Sequence, residues 1–204
     1  ILGDFLEYWV GDDDPSSCAR ECFEALKKAA DVFDVYFMHG NRDFLISEKF
    51  AKKYKISLIP DPTIININRK KILLMHGDTL CIDDKKYQEF RKLVRSPVWQ
   101  SQMLEKPLSE RLQIAAKLRN ESQIEIDLKD EFIMDVNKEE VENVFDRYDV
   151  DELIHGHTHR PNIHKIKMKD KYVRRIVLGD WYKSSYVLFY DSKGVLIDRH
   201  HLSN

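Results

Sequence analysis

The stretch Leu153-Ile154-His155-Gly156-His157-Thr158-His159-Arg160-Pro161 places three histidines within five residues, around a single glycine. The preceding run, residues 150–154, is hydrophobic at both ends and predicts a buried strand that ends at the cluster. Neutral imidazole is the commonest metal ligand among side chains. Gly156 is expected to allow a backbone bend, after which His157 and His159 point to the same side. The stretch therefore predicts a metal site. The alternative is a polar loop whose histidines only face water.

Other segments repeat the same pattern, a short hydrophobic run followed by glycine and an Asp, Asn or His. They are residues 1–4, 35–43, 72–78 and, more weakly, 176–180. Because the strands of a sheet deliver such residues to one edge, the series predicts a metal centre with several ligands on an α/β fold. A single Gly-Asp after a strand is more often a turn than a ligand, so each segment counts only together with the histidine cluster.

The order of these motifs resembles the calcineurin-like metallophosphoesterases. The matching elements are Gly3-Asp4, Gly40-Asn41-Arg42-Asp43, His76 and Gly156-His157-Thr158-His159. The family pattern also has an Asp-x-His, which we expect on a first strand upstream of Ile1, in an N-terminal segment that is missing here. The Asp198-Arg199-His200 triplet fits those letters, but no Gly-Asp follows it, and we do not expect it to bind metal.

Longer strings around the motifs are more specific and resemble one branch of that family. This branch cleaves UDP-2,3-diacylglucosamine in the lipid A pathway of Gram-negative bacteria. The resemblance implies a two-sheet αββα sandwich with a helical lid, and hydrolysis of the pyrophosphate bond to UMP and 2,3-diacylglucosamine 1-phosphate (lipid X). The strings are residues 1–4, 9–15, 39–44, 75–81, 133–137 and 154–161.

The resemblance also implies a ligand set for two metal ions. In it Asp4 bridges the ions, Asn41, His76 and His157 bind one, and His159 binds the other together with the missing Asp-x-His; Asn41 and His157 also contact the substrate. Carboxylate, amide and imidazole donors without a thiolate favour Mn²⁺ or a similar ion. Two such ions can hold a phosphoryl oxygen and deprotonate a bridging water.

Arg42 occupies a position where many relatives carry a histidine that assists the leaving group. A guanidinium does not release its proton at neutral pH, so we expect Arg42 to clamp phosphate charge through paired hydrogen bonds. This favours a nucleotide pyrophosphate, whose leaving group needs little protonation, over a generic phosphomonoester. The alternative for Arg42 is a surface ion pair with Asp43.

Further residues are assigned by the resemblance alone. Substrate contacts are expected at Asp84, Tyr87, Ser122 and Lys129. An equally good interpretation is that three of these are solvated helix residues: Asp84, Ser122 and Lys129. Ile126 departs from the pattern, because it is apolar where the resemblance implies a polar contact. Other side chains are expected to orient the ligands rather than bind metal: Asp43, Asp78, His155 and His39.

Residues 96–133 interrupt the alternation of strands with a long helical pattern. Its broad apolar surface includes Val98, Trp99, Met103 and Leu104, interleaved with basic residues such as Arg111. The pattern predicts either a helical pair packed on the core or a lid facing a membrane. The resemblance implies a lid that covers the acyl chains and helps the protein to sit on the cytoplasmic face of the inner membrane.

Composition fits a single globular domain over residues 1–204. The net charge of −2 gives no electrostatic case for nucleic acid, and no obligate protein partner is indicated. Three cysteines are too few for a disulfide framework, which suggests a reducing compartment.

Periodicity predicts helices over 16–30, 47–54 and 139–148, and strands over 32–38, 63–68, 71–75, 172–178, 186–190 and 195–199.

Two alternative functions remain open at this point. One is a phosphodiesterase of the same fold that acts on a soluble nucleotide, for which an apolar helical pair has no evident use. The other is a protein-binding module that has kept the fold and lost the chemistry, like the retromer subunit of this fold. The intact Asp4, Asn41, His76, His157 and His159 argue against the second.

Overall fold

The computed structural model describes residues 1–128, 135–182, 184–191 and 194–201, apart from the side chains of residues 122–128 and 201. The chain divides into two compact units. The first comprises Ile1–Pro60 and Ile82–Met134, and the second comprises Asp61–Cys81 and Asp135–Asn204. The prediction of a single domain over residues 1–204 stays a prediction.

Helices and strands are both well represented, so the predicted α/β class is confirmed. In chain order the helices are α1 Ser17–Ala29, α2 Glu48–Lys53, α3 Lys85–Val94, α4 Pro97–Leu104, α5 Leu108–Leu128 and α6 Lys138–Tyr148. The strands are β1 Val35–Met38, β2 Ile56–Ile59, β3 Thr63–Ile67, β4 Lys70–Met75, β5 Glu152–His155, β6 Asn162–Lys167, β7 Tyr172–Val177, β8 Ser184–Asp191 and β9 Gly194–His201.

The first unit contains α1 to α5 and the parallel pair of β1 and β2. Its core is aromatic. The Phe50 ring lies 4.8 Å from that of Trp9 and 4.9 Å from that of Phe23, at tilted and edge-to-face angles that suit aromatic pairs. The backbone of Ile1 pairs beside β1, where the Met38 amide donates to its carbonyl at 2.9 Å. This pairing holds the segment that leads into Asp4 against the strand.

Capping residues fix where several helices begin. The Ser47 hydroxyl accepts a hydrogen bond from the Phe50 amide at the start of α2, and the Asn137 side chain accepts one from the Glu140 amide at the start of α6. Both satisfy an N–H that the helix itself leaves unpaired. The Ser47 cap accounts for the start of α2 at Glu48, one residue after the predicted start at residue 47. The Asn137 cap accounts for the start of α6 at Lys138, one residue before the predicted start at residue 139.

The second unit is built on a five-stranded sheet with the order β3-β4-β5-β7-β6, accompanied by the β8–β9 hairpin. The strands β4, β5 and β7 are parallel, and β3 and β6 pair antiparallel at the edges. In the register Met75 pairs with His155, and His155 pairs with Val177. The carboxyl ends of the three parallel strands are therefore level, and the loops that follow them leave from one edge of the sheet.

The sequence patterns located most elements but missed β2, β6 and α3. The predicted strand 32–38 begins only at Val35, because Val32 and Phe33 lie in an exposed turn. The hairpin of β3 and β4 turns at Asn68 and Arg69, one residue before the predicted turn, and both residues adopt left-handed backbone angles (φ 51° and 66°).

The predicted lid is helical as far as it is described, since residues 97–104 and 108–128 form α4 and α5. Residues 129–133 of the predicted insertion lie outside the described residues, and a covering function for the segment stays a prediction. Among the described helices, none has both the length and the apolar character needed to cross a membrane.

The start of α5 is fixed by a buried arginine. The Arg111 guanidinium donates to the Val10 carbonyl at 2.6 Å and pairs with both carboxylate oxygens of Asp13, while its Nε donates to the Lys106 carbonyl at 3.0 Å. The hydrogen bond from Arg111 lowers the pKa of the Asp13 carboxyl. Arg111 thus ties α5 to the loop at residues 10–13.

Candidate metal centre

In the first unit, the loop that carries Asp4 is bound to the loop at residues 40–43. The Asp43 carboxylate is fully buried and accepts hydrogen bonds from the Phe5 amide at 2.8 Å and the Gly40 amide at 2.7 Å. The Arg42 amide donates to Asp4 Oδ1 at 3.0 Å. These bonds bring two predicted metal ligands, Asp4 and Asn41, onto adjoining loops. They are the contacts expected of an Asp43 that orients ligands.

Close approach explains the glycine at position 40. A Cβ atom added to Gly40 would lie 2.2 Å from both the backbone nitrogen and Oδ1 of Asp4, a distance at which atoms overlap. Only a residue without a side chain permits this packing. Gly40 therefore lets the Asp4 carboxylate sit directly against the Gly-Asn-x-Asp loop.

Alanine at Gly40 is accordingly expected to lower the melting temperature and to displace the Asp4 loop, because the added methyl overlaps backbone that cannot move independently. The loss should be about 1–3 kcal/mol in the free energy of unfolding. Gly156→Ala is the matched control, since an added Cβ there meets only the His76 carbonyl oxygen, at an ordinary 3.7 Å. Equal melting temperatures for the two variants would contradict this interpretation.

Arg42 is held by carboxylates of the same unit. Its Nη1 lies 2.8 Å from Glu7 Oε2, and its Nε lies 3.7 Å from Asp4 Oδ2. The guanidinium is half-buried, and these ion pairs hold it beside the predicted ligand Asp4. The partners of these two ion pairs are Glu7 and Asp4, and the alternative pairing of Arg42 with Asp43 stays a prediction.

In the second unit, the loops after β4 and β5 bring histidines together. His76 is buried, and its ring centroid lies 5.1 Å from that of His157. His159 Nδ1 lies 3.6 Å from Asp180 Oδ2, so the weak Gly179-Asp180 motif does reach the cluster. The arrangement places imidazole and carboxylate groups at the level carboxyl ends of parallel strands, where α/β sheets bind ligands.

The expected bend at Gly156 is wrong. Gly156 does not adopt a left-handed backbone, and there is room for a Cβ atom at this position. The left-handed angles occur instead at His157 (φ 64°) and His159 (φ 54°). Non-glycine residues rarely take this conformation, and such strained residues concentrate at functional sites. The turn that presents the histidines is therefore formed by the histidines themselves.

His155 has both ring nitrogens engaged. Its Nδ1 lies 2.9 Å from the Gly156 carbonyl oxygen, and its Nε2 lies 3.2 Å from Nη1 of Arg175. Because the guanidinium can only donate, Nε2 is the acceptor and the proton is on Nδ1. Complete burial lowers the pKa of His155 to about 3, so the ring is neutral. These bonds hold the His155 ring between Gly156 and Arg175, and its role in orienting the ligands stays a prediction.

The remaining predicted residues divide between the two units. Asp78 is fully buried in a 3₁₀ turn after β4. Asp84 caps α3, where its side chain accepts from the Tyr87 amide at 3.1 Å, and its predicted substrate contact stays a prediction. Ser122 lies on α5, but its side chain and all of Lys129 lie outside the described residues. His39 contacts the Ile46 carbonyl at 2.9 Å, and burial lowers its pKa.

In the Asp198-Arg199-His200 triplet the two outer side chains pair with each other. His200 Nε2 lies 2.8 Å from Asp198 Oδ2 on β9. That this triplet does not bind metal stays a prediction.

One contributor to the site was missed by the sequence analysis. Arg95 donates to the Gly40 carbonyl at 2.8 Å, and its guanidinium lies 5.0 Å above the Phe44 ring. It therefore braces the Gly-Asn-x-Asp loop from the end of α3. No local pattern marks it, because it is one basic residue among several on that helix.

Comparison with known proteins identifies the class. The family model for calcineurin-like phosphoesterases matches residues 1–161, and the chain belongs to this family. Its relatives include the UDP-2,3-diacylglucosamine hydrolase of Xanthomonas oryzae, 46% identical over 98% of this chain and 84% of that protein. The enzyme of the same name from Photorhabdus laumondii is 48% identical over 89% of this chain and 76% of that protein. Within the family, the chain therefore groups with the UDP-2,3-diacylglucosamine hydrolases, and the resemblance drawn from the sequence is confirmed.

Membership in this family implies divalent metal ions, and the residues present suit them. The first unit offers the oxygen donors of Asp4 and Asn41, and the second offers the imidazoles of His76, His157 and His159. This mixture of oxygen and nitrogen donors, without a thiolate, is typical of Mn²⁺ and similar ions.

Proposed function

We propose that the protein hydrolyses UDP-2,3-diacylglucosamine to UMP and 2,3-diacylglucosamine 1-phosphate, in the lipid A pathway. The observation that carries this proposal is the 46% identity over 98% of the chain to a UDP-2,3-diacylglucosamine hydrolase. Water attacks the α-phosphorus, a new P–O bond forms, and the bond from that phosphorus to the bridging oxygen breaks. The bridging oxygen leaves with the lipid 1-phosphate.

The ligands in this proposal are Asp4, Asn41, His76, His157 and His159, holding two Mn²⁺ ions. Ions bound there supply positive charge for the transition state and lower the pKa of the attacking water. Asn41 and His157 are also assigned to contact the phosphate, and Asp43, Asp78 and His155 are assigned to hold the ligand loops in position. The bonds of Asp43 to Phe5 and Gly40 support this assignment.

Arg42 is assigned to the phosphate. Its guanidinium is always charged and can donate paired hydrogen bonds to phosphoryl oxygens. The ion pairs with Glu7 and Asp4 would hold it in one orientation before substrate binds. It does not deliver a proton, which suits a leaving group that is itself a phosphate.

Replacing Arg42 by alanine is expected to lower kcat/KM about 10²- to 10³-fold, the usual effect of removing a charge-stabilising donor. Arg42→Lys should fall between, because it keeps the charge and loses the paired geometry. Arg119→Ala is the matched control, since Arg119 pairs with the same Glu7 oxygen at 2.8 Å. If Arg119→Ala lost as much activity as Arg42→Ala, the effect would belong to Glu7 and the phosphate role would fail.

The lipid half of the substrate is assigned to the helical segment. Apolar side chains are exposed on α3 and α4, namely Phe90, Leu93, Val98 and Leu104. An exposed apolar patch on a folded protein commonly marks a binding surface. We assign these residues to the acyl chains and to peripheral attachment at the cytoplasmic face of the inner membrane. Ser122, Lys129, Asp84 and Tyr87 remain the proposed contacts to the sugar and phosphate.

The test is hydrolysis of UDP-2,3-diacylglucosamine by the purified protein, with and without Mn²⁺, followed as release of UMP and lipid X. Mn²⁺-dependent release of both products is expected. Cleavage of a soluble nucleotide diester, with this lipid left intact, would instead support the soluble-nucleotide alternative.

A further inference from the structure

A cavity of about 330 Å³ lies in the second unit beside the histidine loop. Its polar lining comprises Asp135, Thr158, Arg160, Asn162, His164 and Arg175. Thr158 stands between His157 and His159, so the cavity adjoins the loop of proposed metal ligands. Its walls come from that loop and from β6 and β7, where His164 and Arg175 are register partners.

Arg175 contributes a guanidinium to the cavity, and other protein groups accept few of its N–H donors. The residue is only 9% exposed, and the one side-chain hydrogen bond of its guanidinium among the described residues goes to His155 Nε2, at 3.2 Å. Among the described residues Arg175 forms no ion pair, and Asp135 acts on its charge only at longer range. A buried guanidinium carries several further N–H donors and is costly unless these are paired. Since Arg175 lines the cavity, a ligand there can accept them.

Thr158 provides a second, independent indication. Its hydroxyl oxygen is buried and has no hydrogen-bond partner among the described residues. Buried polar groups are nearly always paired, so an orphaned hydroxyl at a cavity wall indicates a missing partner. Asp135, by contrast, is already engaged, because its Oδ2 accepts from Arg160 at 3.1 Å and its Oδ1 accepts from the Val136 amide at 2.7 Å. The lining therefore has an excess of donors.

A ligand for this cavity must be rich in acceptor oxygens, small, and joined to a phosphate at the histidine loop. The volume is at the low end of the range of about 300–1,000 Å³ typical of small-molecule sites, and the six polar residues of the lining favour a ligand with polar groups. Uridine fits, because its uracil ring presents two carbonyl oxygens and its ribose is attached to the α-phosphate. We infer that this cavity binds the uridine half of the substrate, with Arg175 and Thr158 donating hydrogen bonds to it.

This inference rests on the proposed function for its choice of nucleoside, and its test has a binding readout of its own. UMP is titrated calorimetrically into the protein, and hydrolysis is inhibited separately with UMP and with lipid X. Thr158→Val removes only the hydroxyl and should weaken UMP about 3- to 10-fold, the effect of one hydrogen bond. Arg175→Gln keeps a donor for His155, loses the charge, and should weaken UMP at least about 10-fold.

Thr79→Val is the matched control. Its hydroxyl is also buried without a partner among the described residues, but it does not line the cavity. UMP binding should be unchanged in Thr79→Val, and inhibition by lipid X should stay within about twofold of wild type in every variant, as for surface changes of under 0.5 kcal/mol. Melting curves show whether Arg175→Gln is folded; if it is not, Thr158→Val alone decides.

The outcomes separate the two proposals. Unchanged UMP affinity in Thr158→Val, or an equal loss of UMP affinity in Thr79→Val, overturns the cavity assignment. In that case, hydrolysis of the lipid by the wild-type protein still upholds the proposed function. A wild-type protein that binds UMP through this cavity but leaves the lipid intact overturns the proposed function and not the uridine site. Absence of UMP binding in wild type overturns the site.

Discussion

Replacing His157 by alanine is expected to abolish hydrolysis of UDP-2,3-diacylglucosamine and to reduce bound Mn²⁺. The His157 ring lies 5.1 Å from that of His76, at the carboxyl ends of parallel strands. A catalytic metal ion contributes several kcal/mol to the transition state, and each ~1.4 kcal/mol is tenfold in rate, so kcat should fall at least about 10³-fold.

The control is His200→Ala, which removes the imidazole that pairs with Asp198 on an exposed strand. It should keep full activity and metal content. Metal bound per protein is measured after dialysis, beside the steady-state rate. A His157→Ala protein that retains both its metal and its activity would show that this imidazole is not a ligand.

The second large effect concerns stability. Arg111→Ala is expected to lower the free energy of unfolding by about 2–4 kcal/mol, because it leaves buried carbonyl groups without their donor and opens a buried gap. The Val10 and Lys106 carbonyls lose their partner, and Asp13 loses its ion pair. Gly11 shows how tightly this packs, since a Cβ atom there would lie 2.2 Å from Arg111 Nη1.

The comparison is made with Arg119→Ala on the same helix, whose exposed ion pair with Glu7 should contribute under about 1 kcal/mol. Chemical denaturation gives both free energies. Similar values for the two variants would mean that Arg111 does not anchor α5. A loss of unfolding free energy in Arg111→Ala but not in Arg119→Ala would also show that the start of α5, in the proposed lid, is anchored to the loop at residues 10–13.

The sequence predicted the chemistry better than the geometry that presents it. A short hydrophobic run precedes each of three motifs, so the local sequence pattern is enough to find them. They are the histidine cluster, the Gly-Asn-x-Asp loop and His76. Their placement at strand ends was confirmed for β4 and β5. The backbone bend was expected at Gly156, because glycine is the residue that bends most freely, whereas the left-handed angles occur at His157 and His159.

Contacts between distant parts of the chain account for most of what was missed. Arg111 and Val10 are 101 residues apart, and Arg95 and Gly40 are 55 apart, so no window of sequence could pair them. In the sequence Arg175 is one of two adjacent arginines in a strand, and only the folded structure shows that its side chain contacts His155 and lines the cavity. The edge strand β6 was missed because its exposed, basic alternation resembles a loop.

The central claim is that this chain directs water to the α-phosphorus of UDP-2,3-diacylglucosamine in a metal-dependent reaction. It is tested most directly by hydrolysis in ¹⁸O-labelled water, with Mn²⁺ and with the metal removed, followed by mass spectrometry of both products. We expect Mn²⁺ to be required, and we expect the label in UMP and not in lipid X. Label in lipid X, or product release that does not depend on metal, would contradict it.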